Sequence, residues 1–241
     1  TLSSSSAASD VYKRQAQYVV NHMNTVYPIP DSMSFSEAAL ITNLGCVLYG
    51  YQTIGGYIVG DNVAVIGPGP LGLISVAVAK ALCAGRVFLV GTRASRLQVG
   101  GELGADRIIN INEEDPVKVV LEETKGIGAD LVIESSGGPK AIQMAITMAK
   151  RMVKILMLGL PEEPVTVDLN LLGQENKSLH TVRGEGWTNC GRAVSLVASG
   201  KVNLKRLVTH SFSLDNISEA FRTFKERIGG AIKVAVRPND V

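Results

Sequence analysis

The sequence predicts an α/β fold built on a parallel, doubly wound sheet. Three observations predict it. From Asn62 onward, short apolar runs alternate with helical patterns of about 10–15 residues, the rhythm of strand–helix–strand units. The runs are near-continuously apolar, as strands covered on both faces require. Between the first run and the helix after it lies a tight glycine turn, Gly67-Pro68-Gly69-Pro70-Leu71-Gly72.

Residues 16–30 read as an extended edge closed by a turn at Pro28 and Pro30. Ser34-Phe35-Ser36-Glu37 has the spacing of a capping box, so a helix through Ala38, Ala39, Leu40 and Ile41 to Tyr49 is expected. Gly55-Gly56 ends that region. The first strand covers 62–66, and the helix after the glycine turn covers 70–84. Pro70 suits its first position, where the missing N–H costs nothing. A second strand over 86–90, a helix over 93–103 carrying Gly100-Gly101, and a third strand over 107–110 follow. Next come a helix over 116–124 and a fourth strand over 130–134.

Ile142, Ala145, Ile146 and Ala149 then mark a helix face. The fifth strand covers 153–158 and the sixth 179–182. Cys190, Ala193, Val194 and Val197 mark another helix, stopped by Gly200. Ile217, Ala220, Phe221 and Phe224 mark the last, capped by Asp215, before a closing strand over 231–236.

Composition removes several classes of function. The 241 residues are 46% hydrophobic and 19% charged, ordinary for a globular chain of one large or two smaller domains. A net charge of +2, without a basic block, excludes nucleic acid and an anionic membrane surface as partners. No apolar run reaches the roughly 18–20 residues that span a bilayer. Cys46, Cys83 and Cys190 are odd in number and far apart, so neither a disulfide framework nor a paired zinc motif is expected. Reduced thiols in a cytoplasmic protein fit that usage. His22, His180 and His210 show no metal-ligand spacing. Residues 1–15 are serine-rich and aperiodic, and read as a non-native or disordered leader.

The glycine turn carries the chemistry. With a strand before it, a helix after it and another strand about 20 residues on, it reads as a dinucleotide-binding turn. Gly67 permits the tight turn, Gly69 the approach of a pyrophosphate, and Gly72 close packing of helix on sheet. A glycine turn without a ligand, or the first turn of a methyltransferase, are the competing readings. At the end of the second strand stands Gly91-Thr92-Arg93, with Arg96 close by and no acidic residue to hold a ribose 2′-hydroxyl. Guanidinium in place of carboxylate favours NADP over NAD. Arg93 also sits at a helix start, where the dipole opposes a cation unless a phosphate meets it. A solvated arginine is the alternative. Glu134-Ser135-Ser136-Gly137 and Leu158-Gly159-Leu160 follow the fourth and fifth strands, where ligands of such sheets bind. Each is equally readable as an ordinary loop, with Glu134 as a loop partner.

From about residue 16 to 238 the chain resembles the second part of a zinc-type medium-chain dehydrogenase/reductase of the alcohol dehydrogenase family. The resemblance rests on Ser34-Phe35-Ser36-Glu37-Ala38-Ala39, the stretch from Gly60 to Gly72, Glu102-Leu103-Gly104-Ala105-Asp106, Val208-Thr209-His210-Ser211-Phe212-Ser213-Leu214 and the Ala220-Phe221 helix. Its closing half is most similar to sorbitol and threonine dehydrogenase-like members.

The resemblance implies a Rossmann domain over 47–203, flanked by the remaining part of a GroES-like β domain over 16–46 and 204–241. It implies that Gly67, Gly69, Pro70, Leu71 and Gly72 hold the pyrophosphate, and that Gly91, Thr92, Arg93 and Arg96 meet the adenosine ribose. Gly159, Leu160 and Val182 would lie near the nicotinamide, with Ser135 in the neighbouring loop. Lys233 would reach the pyrophosphate, unless it is a solvated edge-strand lysine.

The chain departs from the pattern in three places. It has no Gly-His-Glu zinc signature, Thr42-Asn43 replaces an acidic residue and proline, and Arg151-Met152 replaces Gly-Gly before the fifth strand. The expectation is therefore a fragment supplying the cofactor-binding part of an NAD(P)-dependent alcohol or polyol dehydrogenase. Its catalytic residues are expected upstream of Ala16, zinc only in the full-length protein, and a homodimer or homotetramer when complete. Two alternatives stay open: a zinc-independent reductase of the same superfamily, and a non-catalytic NADP-binding module or redox sensor.

Overall fold

The computed structural model describes residues 20–56, 59–186 and 188–238. Six strands, β1 (Asn62–Ile66), β2 (Arg86–Gly91), β3 (Arg107–Asn110), β4 (Leu131–Glu134), β5 (Lys154–Met157) and β6 (Ser178–Thr181), form one parallel sheet. Their order is β3-β2-β1-β4-β5-β6. The chain winds outward from β1 in one direction and from β4 in the other, which leaves a crevice at the carboxyl ends of these two neighbours.

Strand pleating sends alternate side chains into two separate cores. Val63 and Val65 of β1, with Val87 and Leu89 of β2, enter one core; Ala64, Ile66, Phe88 and Val90 enter the other. The first core is covered by α2 (Ile41–Thr53), α3 (Pro70–Ala81), α4 (Ala94–Glu102) and α8 (Asn189–Ala198). The second is covered by α5 (Pro116–Glu123), α6 (Ala141–Met148) and α7 (Leu169–Gln174). Burial on both faces explains why β1, β2, β4 and β5 read as continuous apolar runs. Each fully buried side chain such as Phe88, Leu89 or Ile155 contributes about 1.5–3 kcal/mol over exposure.

Several sequence expectations are corrected. The capping box is present, with Ser34 Oγ accepting from Glu37 N at 3.3 Å and Glu37 Oε2 from Ser34 N at 3.2 Å. The helix it starts, α1 (Phe35–Ala38), is short, and α2 begins separately at Ile41. Leu40, Leu44 and Val47 are all fully buried, and the break at Ala39–Leu40 turns the chain so that they reach the core. Within the stretch expected to be extended, Met23–Thr25 form a 3₁₀ turn capped by His22 Nδ1. Residues 16–19, and the leader over 1–15, lie outside the described residues.

α7 has no counterpart in the sequence reading; Asp168 caps it by accepting from Leu171 N at 3.0 Å. Asp215 caps no helix. It lies inside a 3₁₀ turn, Leu214–Asn216, that leads into α9 (Ile217–Glu226), whose N-cap is Asn216. β7 (Val208–Ser213) and β8 (Lys233–Arg237) form a separate parallel pair beside α9.

Candidate functional site

The glycine turn leaves β1 with Gly67 at φ 100°, a left-handed conformation that favours glycine. A Cβ there would stand 2.8 Å from Ser136 Cβ. At Gly72 a Cβ would collide with the carbonyl oxygen of Gly67 and lie 2.6 Å from Ser135 Oγ. Gly69 differs: its φ of −85° suits any residue, and a Cβ on it would meet nothing within 4 Å. The space above Gly69 is the cleft itself. α3 starts at Pro70 without a side-chain cap, so its N-terminal dipole faces that space without a protein anion.

The loop after β4 is held to this turn. Ser135 Oγ lies 2.8 Å from the Ile66 carbonyl oxygen and 2.9 Å from that of Gly67. Glu134 is fully buried, and its Oε1 accepts from Ser136 N at 2.7 Å, Ser136 Oγ at 2.5 Å and Gly137 N at 3.1 Å. This carboxylate organises a loop and presents no charge to the cleft. Its backbone oxygen also accepts from Gly159 N at 2.9 Å. A Cβ on Gly137 would lie 2.6 Å from the Leu160 carbonyl oxygen. The loops after β4 and β5 are thus packed directly on one another.

Around Gly67 and Gly69 opens a cleft of about 630 Å³, within the usual size of a small-molecule site. Gly91, Thr92, Arg93, Arg96 and Ser135 line it. Pro70, Leu71 and Gly72 form the first turn of α3 behind it. Sequence reasoning missed Lys140, Arg227, Ile111 and Met144, which line it too. The lining holds four cations (Arg93, Arg96, Lys140 and Arg227) and no carboxylate. Ile111, Pro139 and Met144 supply apolar surface.

Arg93 is the backbone N-cap of α4 and its side chain is exposed. Arg96, one turn on, is 7% exposed. It donates to the carbonyl oxygen of Ala231 and has no ion pair among the described residues. Burial lowers its pKa below the ordinary arginine value. Even so, a guanidinium stays charged at neutral pH, so a buried, unpaired cation borders the cleft.

Besides Pro70, Leu71 and Gly72, four residues of the sequence reading do not line this cleft: Gly159, Leu160, Val182 and Lys233. Leu160 is exposed beside the Gly137 loop, and Val182 packs against the first core. Lys233 Nζ donates to Asn43 Oδ1 of α2 at 3.1 Å, and burial lowers its pKa. It is therefore not a solvated edge lysine. Among the described residues no group of three or more His, Cys, Asp or Glu is placed to hold a metal ion, so the residues present do not form a zinc site. Among them, too, no helix is long and apolar enough to cross a membrane.

A family model described as zinc-binding dehydrogenase matches residues 70–199, more than half of the chain. Threonine 3-dehydrogenase of Bacillus subtilis is 35% identical over 225 residues, covering 92% of this chain and 64% of that protein. Sorbitol dehydrogenase of Macaca fascicularis is 34% identical over 219 residues, covering 89% and 60%. Among solved structures, alcohol dehydrogenase TADH from Thermus sp. ATN1 superposes with a TM-score of 0.80 at 28% identity, covering 87% of this chain and 62% of that one. The chain thus spans about three-fifths of the length of the proteins it matches.

Proposed function

As this chain belongs to the zinc-binding dehydrogenase family, we propose that it supplies the NADP-binding part of an alcohol or polyol oxidoreductase. The reaction would be hydride transfer between the carbinol carbon of a small alcohol and C4 of the nicotinamide. The observation that carries the cofactor reading is the charge of the cleft: four cations, a buried Arg96 among them, and no carboxylate.

In this reading the pyrophosphate lies over Gly69 at the start of α3, where nothing occupies the space and the dipole is positive. Thr92, Arg93 and Arg96 take the 2′-phosphate of the adenosine ribose, and Ile111 and Met144 flank the adenine. Gly159, Leu160 and Val182 then approach the nicotinamide end, and Lys233 remains with Asn43 until a cofactor draws it over.

Titration of the chain with NADPH and NADH, followed by nicotinamide fluorescence, tests this. NADPH should bind at least about tenfold more tightly, the worth of one charge-assisted contact. Arg93→Ala should shrink that difference. Equal affinities in the unsubstituted chain would overturn the cofactor reading.

A further inference from the structure

Arg227 ends α9 in the left-handed conformation, at φ 60° and ψ 37°, and its N–H donates to the Thr223 carbonyl. Helices that end this way usually carry glycine at such a position. The two glycines that follow, Gly229 and Gly230, are also at positive φ. The chain therefore uses glycine at two of three left-handed positions in this loop and retains an arginine at the third. A strained conformation beside a cleft points to a task for its side chain.

Three further observations say what the task is. Arg227 lines the same cleft as Arg93 and Arg96. Among the described residues its guanidinium has no hydrogen bond and no ion pair, so its donors are uncommitted. The loop that carries it is fixed to the start of α4. Arg96 donates to the Ala231 carbonyl, and a Cβ on Gly230 would lie 3.7 Å from Ser95 Oγ. The same short stretch of α4 thus supplies two of the arginines and anchors the loop that brings the third.

We propose that Arg227 is a specificity-determining residue that binds a terminal phosphate monoester, the 2′-phosphate of the cofactor, together with Arg93 and Arg96. Three guanidiniums suit a dianion with three acceptor oxygens, and an unphosphorylated ribose offers them nothing comparable. The assignment rests on the NADP reading given above.

The test uses Arg227→Gly in the full chain. Glycine accepts the left-handed conformation without strain, so the fold is preserved and thermal stability should stay the same or rise. The probes are NADPH, NADH and adenosine 2′,5′-bisphosphate, each titrated against the unsubstituted chain, Arg227→Gly and Arg93→Ala. Arg227→Gly should weaken NADPH and the bisphosphate about tenfold or more and leave NADH within about twofold. If Arg93→Ala weakens NADPH while Arg227→Gly does not, the role of Arg227 is overturned and the NADP reading stands. Equal weakening of NADPH and NADH by Arg227→Gly would also overturn the role, by moving the contact to the shared pyrophosphate. If the unsubstituted chain does not prefer NADPH, the NADP reading fails and the assignment falls with it.

Discussion

The hydroxyl of Ser135 lies 2.9 Å from the carbonyl oxygen of Gly67, joining the loop after β4 to the turn after β1 across the sheet's point of divergence. The same hydroxyl is 2.8 Å from the Ile66 carbonyl. Ser135→Ala keeps the volume nearly constant and deletes the tie. A loss of about 1 kcal/mol in urea unfolding is expected, with NADPH affinity falling roughly fivefold. Unchanged affinity would show that the turn holds its shape without Ser135.

Gly69 and Gly72 make opposite predictions from one motif. A Cβ at Gly72 runs into backbone, the Gly67 carbonyl, which cannot swing aside like a flexible side chain. Gly72→Ala should destabilise the fold by about 1–3 kcal/mol and abolish dinucleotide binding with it. A Cβ at Gly69 meets open space in an ordinary conformation. Gly69→Ala should leave thermal stability within about 0.5 kcal/mol, yet weaken the dinucleotide, because the methyl group enters the cleft. If both variants lose stability equally, the open space above Gly69 is not a ligand site.

These contrasts show how far the sequence reaches. The strands β1, β2, β4 and β5 are legible because each is a short apolar run between helix patterns, and burial on both faces erases any alternation; the edge strands β3 and β6 are half-buried and carry polar residues. The near wall of the cleft is legible because Gly67 to Gly72 and Gly91 to Arg96 are local signals. The far wall is not. Arg227 enters the cleft through a long-range docking of the α9–β8 loop on α4, and no pattern around it announces that contact. Of the β7–β8 pair, β8 is legible as the closing apolar run, whereas β7 is not: its residues alternate between half-buried and exposed and include Thr209, His210 and Ser211. Asp215 misled because an acidic residue before an apolar helix face has the signature of a cap. Here a 3₁₀ turn takes up that position and leaves Asn216 at the boundary.

Asp130 should make the fold acid-sensitive. Its carboxylate accepts from Lys150 Nζ at 2.8 Å and from Asn62 N at 2.9 Å. Burial pushes its pKa up, but the bonds and charge of Lys150, with the bonds from Asn62, outweigh burial and hold it below the ordinary carboxylate value. A carboxylate with a depressed pKa stabilises the fold above its unfolded pKa, and that stabilisation is lost as pH falls through the folded value. Asp130→Asn should therefore lower the melting temperature near neutrality and flatten its decline below about pH 4. A variant with the parental acid slope would assign the sensitivity to other groups.

The cysteines should differ sharply toward alkylation. Burial, then the charge of Glu185 and the nearby Cys190, push the Cys46 thiol up to about 11. Cys83 is exposed in the turn after α3. Iodoacetamide at about pH 8 should modify Cys83 first and Cys46 slowest, as peptide mapping by mass spectrometry would read, because only the thiolate reacts. Early modification of Cys46 would mean that α2 opens in solution.

The bond from Arg96 to Ala231 also sets an order of events during synthesis. All six strands of the sheet are synthesised by Thr181, whereas Arg227, which lines the cleft, and Ala231, which accepts from Arg96, follow later in the chain. On the reading proposed above, a dinucleotide would favour chains already docked through Ala231 over chains that are not.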